Sequence, residues 1–310
     1  MSEHISLEGQ RIIVTGAGRG LGRAYALQLA GLGARVVVND LEQSAADEVV
    51  SEIRKNDGEA VASYEVIGSK SAGRAIVEVA MDAFGGLEAL VNNAGNVRPG
   101  LFTELTEDDF ASVLHVHLFG SIYTTQAAWP VFQKQKYGRV VMTGSNAGMF
   151  SLPGMANYSA AKAGLYGLAK ALSYEGLDYN IGVNTILPVA STDIMRGRPI
   201  PTMIENYAKF VGPEMRQKIN AEARSGPDMV AHLVAYLVSR ECEFTGEAYS
   251  ALRGRYGRVF VGVADGWLTR KNDEVSVDAI SAHMLQIRDI SHHTVPKWLF
   301  EETRDFALRL

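Results

Sequence analysis

The sequence predicts an α/β protein organised on a parallel sheet. One observation is the opening run R-I-I-V-T at 11–15, followed by a glycine-rich turn, a helical pattern and a second apolar run, R-V-V-V-N at 35–39. Strand, turn, helix and strand in that order make a βαβ unit, which opens a parallel sheet. Another is repetition of the same alternation. Strand-like runs at 59–66, 87–91, 139–143, 181–187 and 247–252 are separated by helical patterns.

Taken in order, helices are expected near 42–55 and 71–84. A further helix is expected from Thr106 through about 119, where T-E-D-D resembles an N-cap with an acidic first turn. Another covers about 121–135, and a long one runs from the Ala-rich segment at 156 through about Tyr179. Asp228 to Ser239 closes the set, with apolar Met229, Val230, Leu233, Val234 and Leu237 on one side.

Composition narrows the function classes without choosing one. The 310 residues are 47% hydrophobic and 21% charged, ordinary for a soluble enzyme. A formal charge of -5 argues against nucleic-acid binding, which needs clustered Lys and Arg. The single cysteine, Cys242, excludes an internal disulfide framework and fits a reducing compartment. Met1 to Gln10 is polar, unlike a signal peptide, and no run reaches the roughly 18 apolar residues of a membrane span. A cytoplasmic globular protein is expected, without membrane or nucleic-acid partners. No Cys/His metal cluster is present, and His292-His293 reads as a solvated turn.

The glycine turn reads G-A-G-R-G-L-G at 16–22, with Gly16, Gly20 and Gly22 spaced G-x-x-x-G-x-G. Glycine there tolerates positive φ and lets backbone approach a pyrophosphate at a helix N-terminus. Arg19 and Leu21 belong to the same turn. Asp40, with Leu41, ends the second strand about 20 residues on, which strengthens a dinucleotide reading. Its carboxylate suits a ribose diol and repels a 2′-phosphate, whereas Arg19 would pair with one. Burying Asp40 beside a phosphate is costly while Arg19 swings freely to solvent, so NAD is expected over NADP. Asn92-Asn93-Ala94-Gly95 ends another strand, at the sheet edge where α/β folds bind ligands. Glu65 and Val66 end the third strand and are placed at the adenine; a solvated strand-end charge is the other reading of Glu65.

Tyr158 and Lys162 stand four apart, so on a helix they share a face one turn apart. Ser145 lies thirteen residues upstream, just past the strand 139–143. A phenol, an ammonium and a hydroxyl brought together make a proton-handling site for an alcohol or a carbonyl. Singly, each has a plainer reading: a packed Tyr, a solvated Lys.

Over roughly residues 8–252 the chain resembles the short-chain dehydrogenase/reductase family. The likeness rests on T-G-A-G-R-G-L-G at 15–22, N-N-A-G at 92–95, Ser145 and Y-x-x-x-K at 158–162. It implies a Rossmann-type, doubly wound sheet of seven parallel strands in order 3-2-1-4-5-6-7 with helices on both faces, and interconversion of a secondary alcohol and a ketone with NAD(P). Tyr158 is then the acid/base, Ser145 holds the substrate oxygen, and Lys162 holds the nicotinamide ribose. A free tyrosine has a pKa of about 10, so Lys162 and the positive nicotinamide are expected to favour the phenolate. Asn93, Ala94, Gly95, Pro188 and Val189 are the remaining cofactor contacts implied.

Departures from the family accompany these matches. The usual V-N-L-x-G is V-H-L-F-G, so His117 replaces an Asn tied to a proton relay. Histidine keeps the backbone carbonyl; a relay member and a packed core histidine are both open readings. Gly144 stands where many members have Ser. Pro188-Val189 replaces P-G, with Thr192 one residue early for the family's cofactor-amide threonine. G-R-A-Y-A-L, V-V-V-N-D-L, A-A-W-P and A-N-Y-S-A-A-K are similar to the dehydrogenase unit of peroxisomal multifunctional enzymes, which oxidise (R)-3-hydroxyacyl-CoA and, in some cases, 17β-hydroxysteroids. That branch shares His117.

The resemblance also places a substrate lid at about 189–226, rich in Pro, Gly, Met and aromatics, with Arg196 and Arg198 open to an acidic group. Gly148 to Met155 faces it, giving an apolar pocket for a hydrophobic alcohol or ketone: a hydroxyacyl-CoA, a hydroxysteroid or a similar cyclic alcohol. Residues 253–310 form a C-terminal extension, with a β-like run at 258–263 and helices near 276–289 and 297–308. It is expected to pack on the domain or across a subunit interface. The small-residue helix 159–171 resembles family helices that pair across a two-fold, which implies a homodimer or homotetramer. A catalytically silent nucleotide-binding regulator on the same fold is the alternative function.

Overall fold

Ile12, Ile13 and Val14 of β1 (Arg11–Thr15) are fully buried, as are Val36, Val37 and Val38 of β2 (Arg35–Asn39). Apolar runs without alternation are what a strand covered on both faces requires. The computed structural model describes residues 5–150, 152–190, 212–222, 226–269, 273 and 275–309. In it, β1 and β2 join β3 (Glu59–Ser63), β4 (Ala89–Asn92), β5 (Gly138–Thr143), β6 (Ile181–Val189), β7 (Ala248–Leu252) and β8 (Arg255–Val259) in one sheet. The order is β3-β2-β1-β4-β5-β6-β7-β8, with all neighbouring strands from β3 to β7 parallel.

Alternate side chains of each strand serve opposite faces. Ile12, Val14, Val36 and Val38 pack with Tyr25 and Leu29 of α1 (Gly20–Gly31), Val49 and Ile53 of α2 (Gln43–Lys55), and the helix Asp228–Val238. Ile13, Val37 and Leu90 pack instead with α3 (Lys70–Phe84), with Phe132 of α5 (Gly120–Gln135), and with Leu165 and Ala169 of α7 (Ala156–Glu175). The sheet is thereby doubly wound. Since β1 lies between β2 and β4, chain direction across the sheet reverses there and opens a crevice beyond the strands' carboxyl ends.

The structure adjusts four sequence expectations. The helix starting at Thr106 does carry a capping box: Asp109 N–H donates to Thr106 Oγ1 (3.2 Å) and Thr106 N–H to Asp109 Oδ2 (3.1 Å). But α4 (Glu107–Leu114) passes through a π turn, His115–Phe119, directly into α5. The extra residue of such a turn leaves no signature in apolar spacing. α7 ends at Glu175, with a 3₁₀ turn Leu177–Tyr179 beyond it. β6 continues through Pro188 and Val189, which pair with Ala251 and Leu252. The sheet also gains an eighth strand: Arg253 and Gly254, at φ 48° and 93°, turn the chain back from β7 to β8. A two-residue turn with two positive φ angles joins an antiparallel pair, and arginine at its first position hid it.

The chain divides into two compact units, Met1–Arg258 and Val259–Leu310. The second unit holds a short antiparallel ribbon, Val263–Ala264 with His293–Thr294, and helices Val277–Ala282, Met284–Ile287 and Leu299–Ala307. Most of the lid, including Thr192, Arg196, Arg198, Met203, Ile204, Tyr207, Phe210 and Val211, lies outside the described residues.

At the opposite edge from the crevice, Glu88 accepts from Arg11 N–H (2.8 Å) and Arg11 Nε (2.7 Å), joining the starts of β1 and β4. Glu88→Ala leaves a half-buried guanidinium unpaired. It is expected to lower unfolding free energy by about 3 kcal/mol, measured in urea, without changing nucleotide affinity.

Candidate active site

The crevice is built by hydrogen bonds between two turns. Thr15 Oγ1, at the end of β1, accepts from Asn93 N–H (2.9 Å) and Ala94 N–H (3.0 Å). Asn93 Nδ2 returns two bonds of 3.0 Å to the carbonyls of Thr15 and Gly16. The Asn93 side chain thus holds the glycine turn. Gly16 sits at φ 60°, and a Cβ on it would lie 2.7 Å from Ala94 Cα. A Cβ on Gly22 would lie 2.1 Å from Gly16 O. Only glycine fits at either position.

α1 begins in this cradle with no side-chain cap from Arg19 and no acid in its first turn. Its positive end is therefore suited to a phosphate. Arg19 is exposed, while Asp40 is 7% exposed. The Asp40 carboxylate accepts from Gly18 N–H (2.9 Å) and Glu42 N–H (3.1 Å). Gly18, which spacing alone did not single out, is needed there because a Cβ would meet Ala45 Cβ at 2.8 Å. Leu41 and Val66 expose 69% and 67% of their surface at the same edge. Glu65 is exposed, and its backbone carbonyl accepts from Asn39 Nδ2 (3.0 Å). Pro188 and Val189, both half-buried, end β6 along the same edge. A cradle only glycines can leave open, a bare helix end and a buried carboxylate fit a dinucleotide.

The proton-handling groups gather beside it. Ser145 lies between β5 and α6 (Asn146–Phe150), its Oγ accepting from Ala147 N–H at 3.1 Å. Its hydroxyl faces Tyr158, in the first turn of α7, closely enough to act on the phenol. Lys162, 4% exposed, donates from Nζ to Thr143 O at the end of β5. Its Nζ stands 5.5 Å from the Tyr158 ring centroid.

Burial pushes the Tyr158 phenol above its ordinary value, and the Ser145 hydroxyl beside it only partly offsets this. The protein's own groups therefore leave Tyr158 a phenol, ready to donate. Burial also lowers the Lys162 ammonium from 10.5 to about 7, since a charge away from water is costly.

His117 is 1% exposed and holds its ring edge-on to Tyr158, with centroids 5.1 Å apart. Its Nε2 lies 2.7 Å from Asn96 O and 3.1 Å from Asn96 N. Gly95 makes room for the ring: a Cβ there would meet His117 Cε1 at 2.3 Å. Burial first, and then the Lys162 charge, push His117 well below its ordinary value, so it is neutral. Its backbone carbonyl accepts from Ser121 Oγ at 2.6 Å. The side chain is packed, yet in ring contact with Tyr158.

Residues 10–198 match the family model for short chain dehydrogenases. The chain belongs to that family. Its members are oxidoreductases that use a nicotinamide nucleotide. The chain is 39% identical over 289 residues to a short-chain type dehydrogenase/reductase of Mycobacterium tuberculosis, covering 90% of this chain and 94% of that one. It is 37% identical over 313 residues to the peroxisomal multifunctional enzyme type 2 of Mus musculus, covering 98% of this chain but 40% of the mouse protein. Full-length peroxisomal multifunctional enzyme type 2 from Drosophila melanogaster matches the fold with a TM-score of 0.76 at 34% identity. That match covers 98% of this chain and 50% of the insect one.

In this dehydrogenase, an unfolded Lys162 gains its proton near pH 10.5, whereas the folded one stays neutral down to about 7. Folding stability contributed by this site is therefore lost as pH falls across that window. Lys162→Met removes the loss. The melting-temperature difference, variant minus parent without nucleotide, should grow more positive from pH 10 to pH 7 and level off below.

Proposed function

We propose that the protein is an NAD-dependent dehydrogenase interconverting a secondary alcohol and a ketone on an apolar substrate, with Tyr158 as acid/base. The observation that carries this is Ser145 beside the Tyr158 phenol, with Lys162 one helical turn away and its Nζ 5.5 Å from the Tyr158 ring centroid. When bound, the nicotinamide supplies the hydride donor or acceptor. Ser145 holds the substrate oxygen, and Tyr158 gives it a proton in reduction or takes one in oxidation. Lys162 reaches the nicotinamide ribose and, when protonated, stabilises the phenolate. The buried Asp40 supports NAD, because a 2′-phosphate would face a carboxylate already committed to the turn.

The substrate class rests on the mouth of the site. Leu101, Phe102 and Phe150 are exposed apolar side chains on the loop after β4 and on α6. Gly100 N–H donates to Gly154 O (3.0 Å), joining that loop to the segment before Tyr158. With relatives named as peroxisomal multifunctional enzymes, a 3-hydroxyacyl thioester is the favoured substrate and a hydroxysteroid the next. A cytoplasmic homodimer or homotetramer completes the proposal, supported by the single cysteine and the small residues of α7; light scattering and cell fractionation check it.

The direct test is NADH absorbance with a panel of 3-hydroxyacyl-CoAs and hydroxysteroids. We expect turnover with kcat/KM at least tenfold higher for NAD than for NADP, since one charge-assisted bond gained or lost is worth about 1.5–3 kcal/mol. Tyr158→Phe should lose turnover by more than ~10²-fold while keeping nucleotide affinity. An NADP preference refutes the cofactor assignment, and an active Tyr158→Phe refutes the acid/base role.

A further inference from the structure

Tyr158 occupies the first turn of α7, where four backbone N–H groups have no partner within the helix and fraying begins. Residue Met155, at the N-cap, supplies no side-chain bond. A reacting phenol carried on an uncapped turn would wander, and a misplacement of about 1 Å costs on the order of 10²-fold in rate. The turn is held in another way. Asn157, 0% exposed, accepts the Tyr158 N–H on Oδ1 at 2.7 Å. Its Nδ2 donates to Arg98 O (3.0 Å) and Asp109 O (3.3 Å).

We propose that Asn157 is a positioning residue for Tyr158, a single buried amide that caps the first turn of α7 and ties it to the loop after β4 and to α4. Its partners explain why an amide is required. One acceptor serves the helix and two donors serve carbonyls of separate segments, a set only Asn or Gln provides. The loop it grips is held from its other end by the His117 ring on the Asn96 backbone. The α4 turn it grips is stiffened by the Thr106–Asp109 capping box. Tyr158 is thereby referred to both rigid walls of the crevice.

This inference rests on Tyr158 being the acid/base. Its test compares Asn157→Leu, which keeps volume but no polar atom, with Asn157→Ser, which keeps a hydroxyl too short to reach Arg98, and with Tyr158→Phe. Each is measured for nucleotide Kd, kcat, KM and the pH midpoint of alcohol oxidation. A loosened Tyr158 moves off the Ser145 hydroxyl, which draws its pKa down. Both Asn157 variants should therefore lose roughly 10- to 100-fold in kcat, with KM changed less than kcat. The midpoint should move to higher pH, and nucleotide Kd should stay within about twofold of the parent. If Asn157→Leu fails to fold, Asn157→Ser decides alone. A lowered melting temperature with unchanged kcat and unchanged midpoint would reduce Asn157 to an ordinary buried amide. Turnover retained by Tyr158→Phe would instead remove the acid/base assignment beneath it, whatever the Asn157 variants do.

Discussion

Everything at this site depends on one short-range contact, the meeting of the turns after β1 and β4. Thr15 and Gly16 on one side and Asn93 and Ala94 on the other share four hydrogen bonds between those turns, and the backbones come so close that Gly16 has no space for a side chain. That closeness aims α1 into the crevice, and it places the loop after Asn93 against the His117 ring. Because β1 is the strand at which the sheet reverses, this junction is also where an open α/β sheet offers a cleft. The nucleotide cradle and the wall of the substrate site are two sides of one junction.

The electrostatics follow from burial more than from pairing. Lys162 is enclosed by protein and, among the described residues, its hydrogen-bond partner is a carbonyl, so its proton is weakly held. Tyr158 sits in the same enclosure and stays a phenol for the same reason. His117 is driven neutral by burial and by that lysine. A site of three groups each pressed toward its uncharged form responds strongly to any charge that enters. Lys162 and a positive nicotinamide together are expected to favour the phenolate; in the protein alone, desolvation keeps Tyr158 a phenol.

Much of this was legible in the chain. Gly16, Gly20 and Gly22 are readable because glycine marks a backbone demand that no other residue meets. Tyr158 and Lys162 are readable because helical spacing is local. The capping box at Thr106 is local too. Less legible were residues whose role is to join distant segments. Nothing in the spacing of Thr15, Gly18 or Asn157 distinguishes them from ordinary small polar positions. Their partners lie 78, 22 and 59 residues away. Asn93 was read as a cofactor contact, and its side chain turns out to hold the glycine turn. The eighth strand was missed for a local reason, an arginine in a left-handed turn position.

By itself, then, the sequence determined the strand–helix alternation, the glycine turn, the Tyr158–Lys162 face and the family to which these belong. All of these are encoded within one or two turns of backbone, where propensity and periodicity act. Tertiary structure alone decided that His117 is a neutral, packed ring edge-on to Tyr158, that Lys162 is dry, and that an amide at 157 bolts the reacting helix to two other segments. Those properties depend on what surrounds a side chain after the sheet has closed. Burial and long-range hydrogen bonds come from the assembled core, and no stretch of residues carries them in advance.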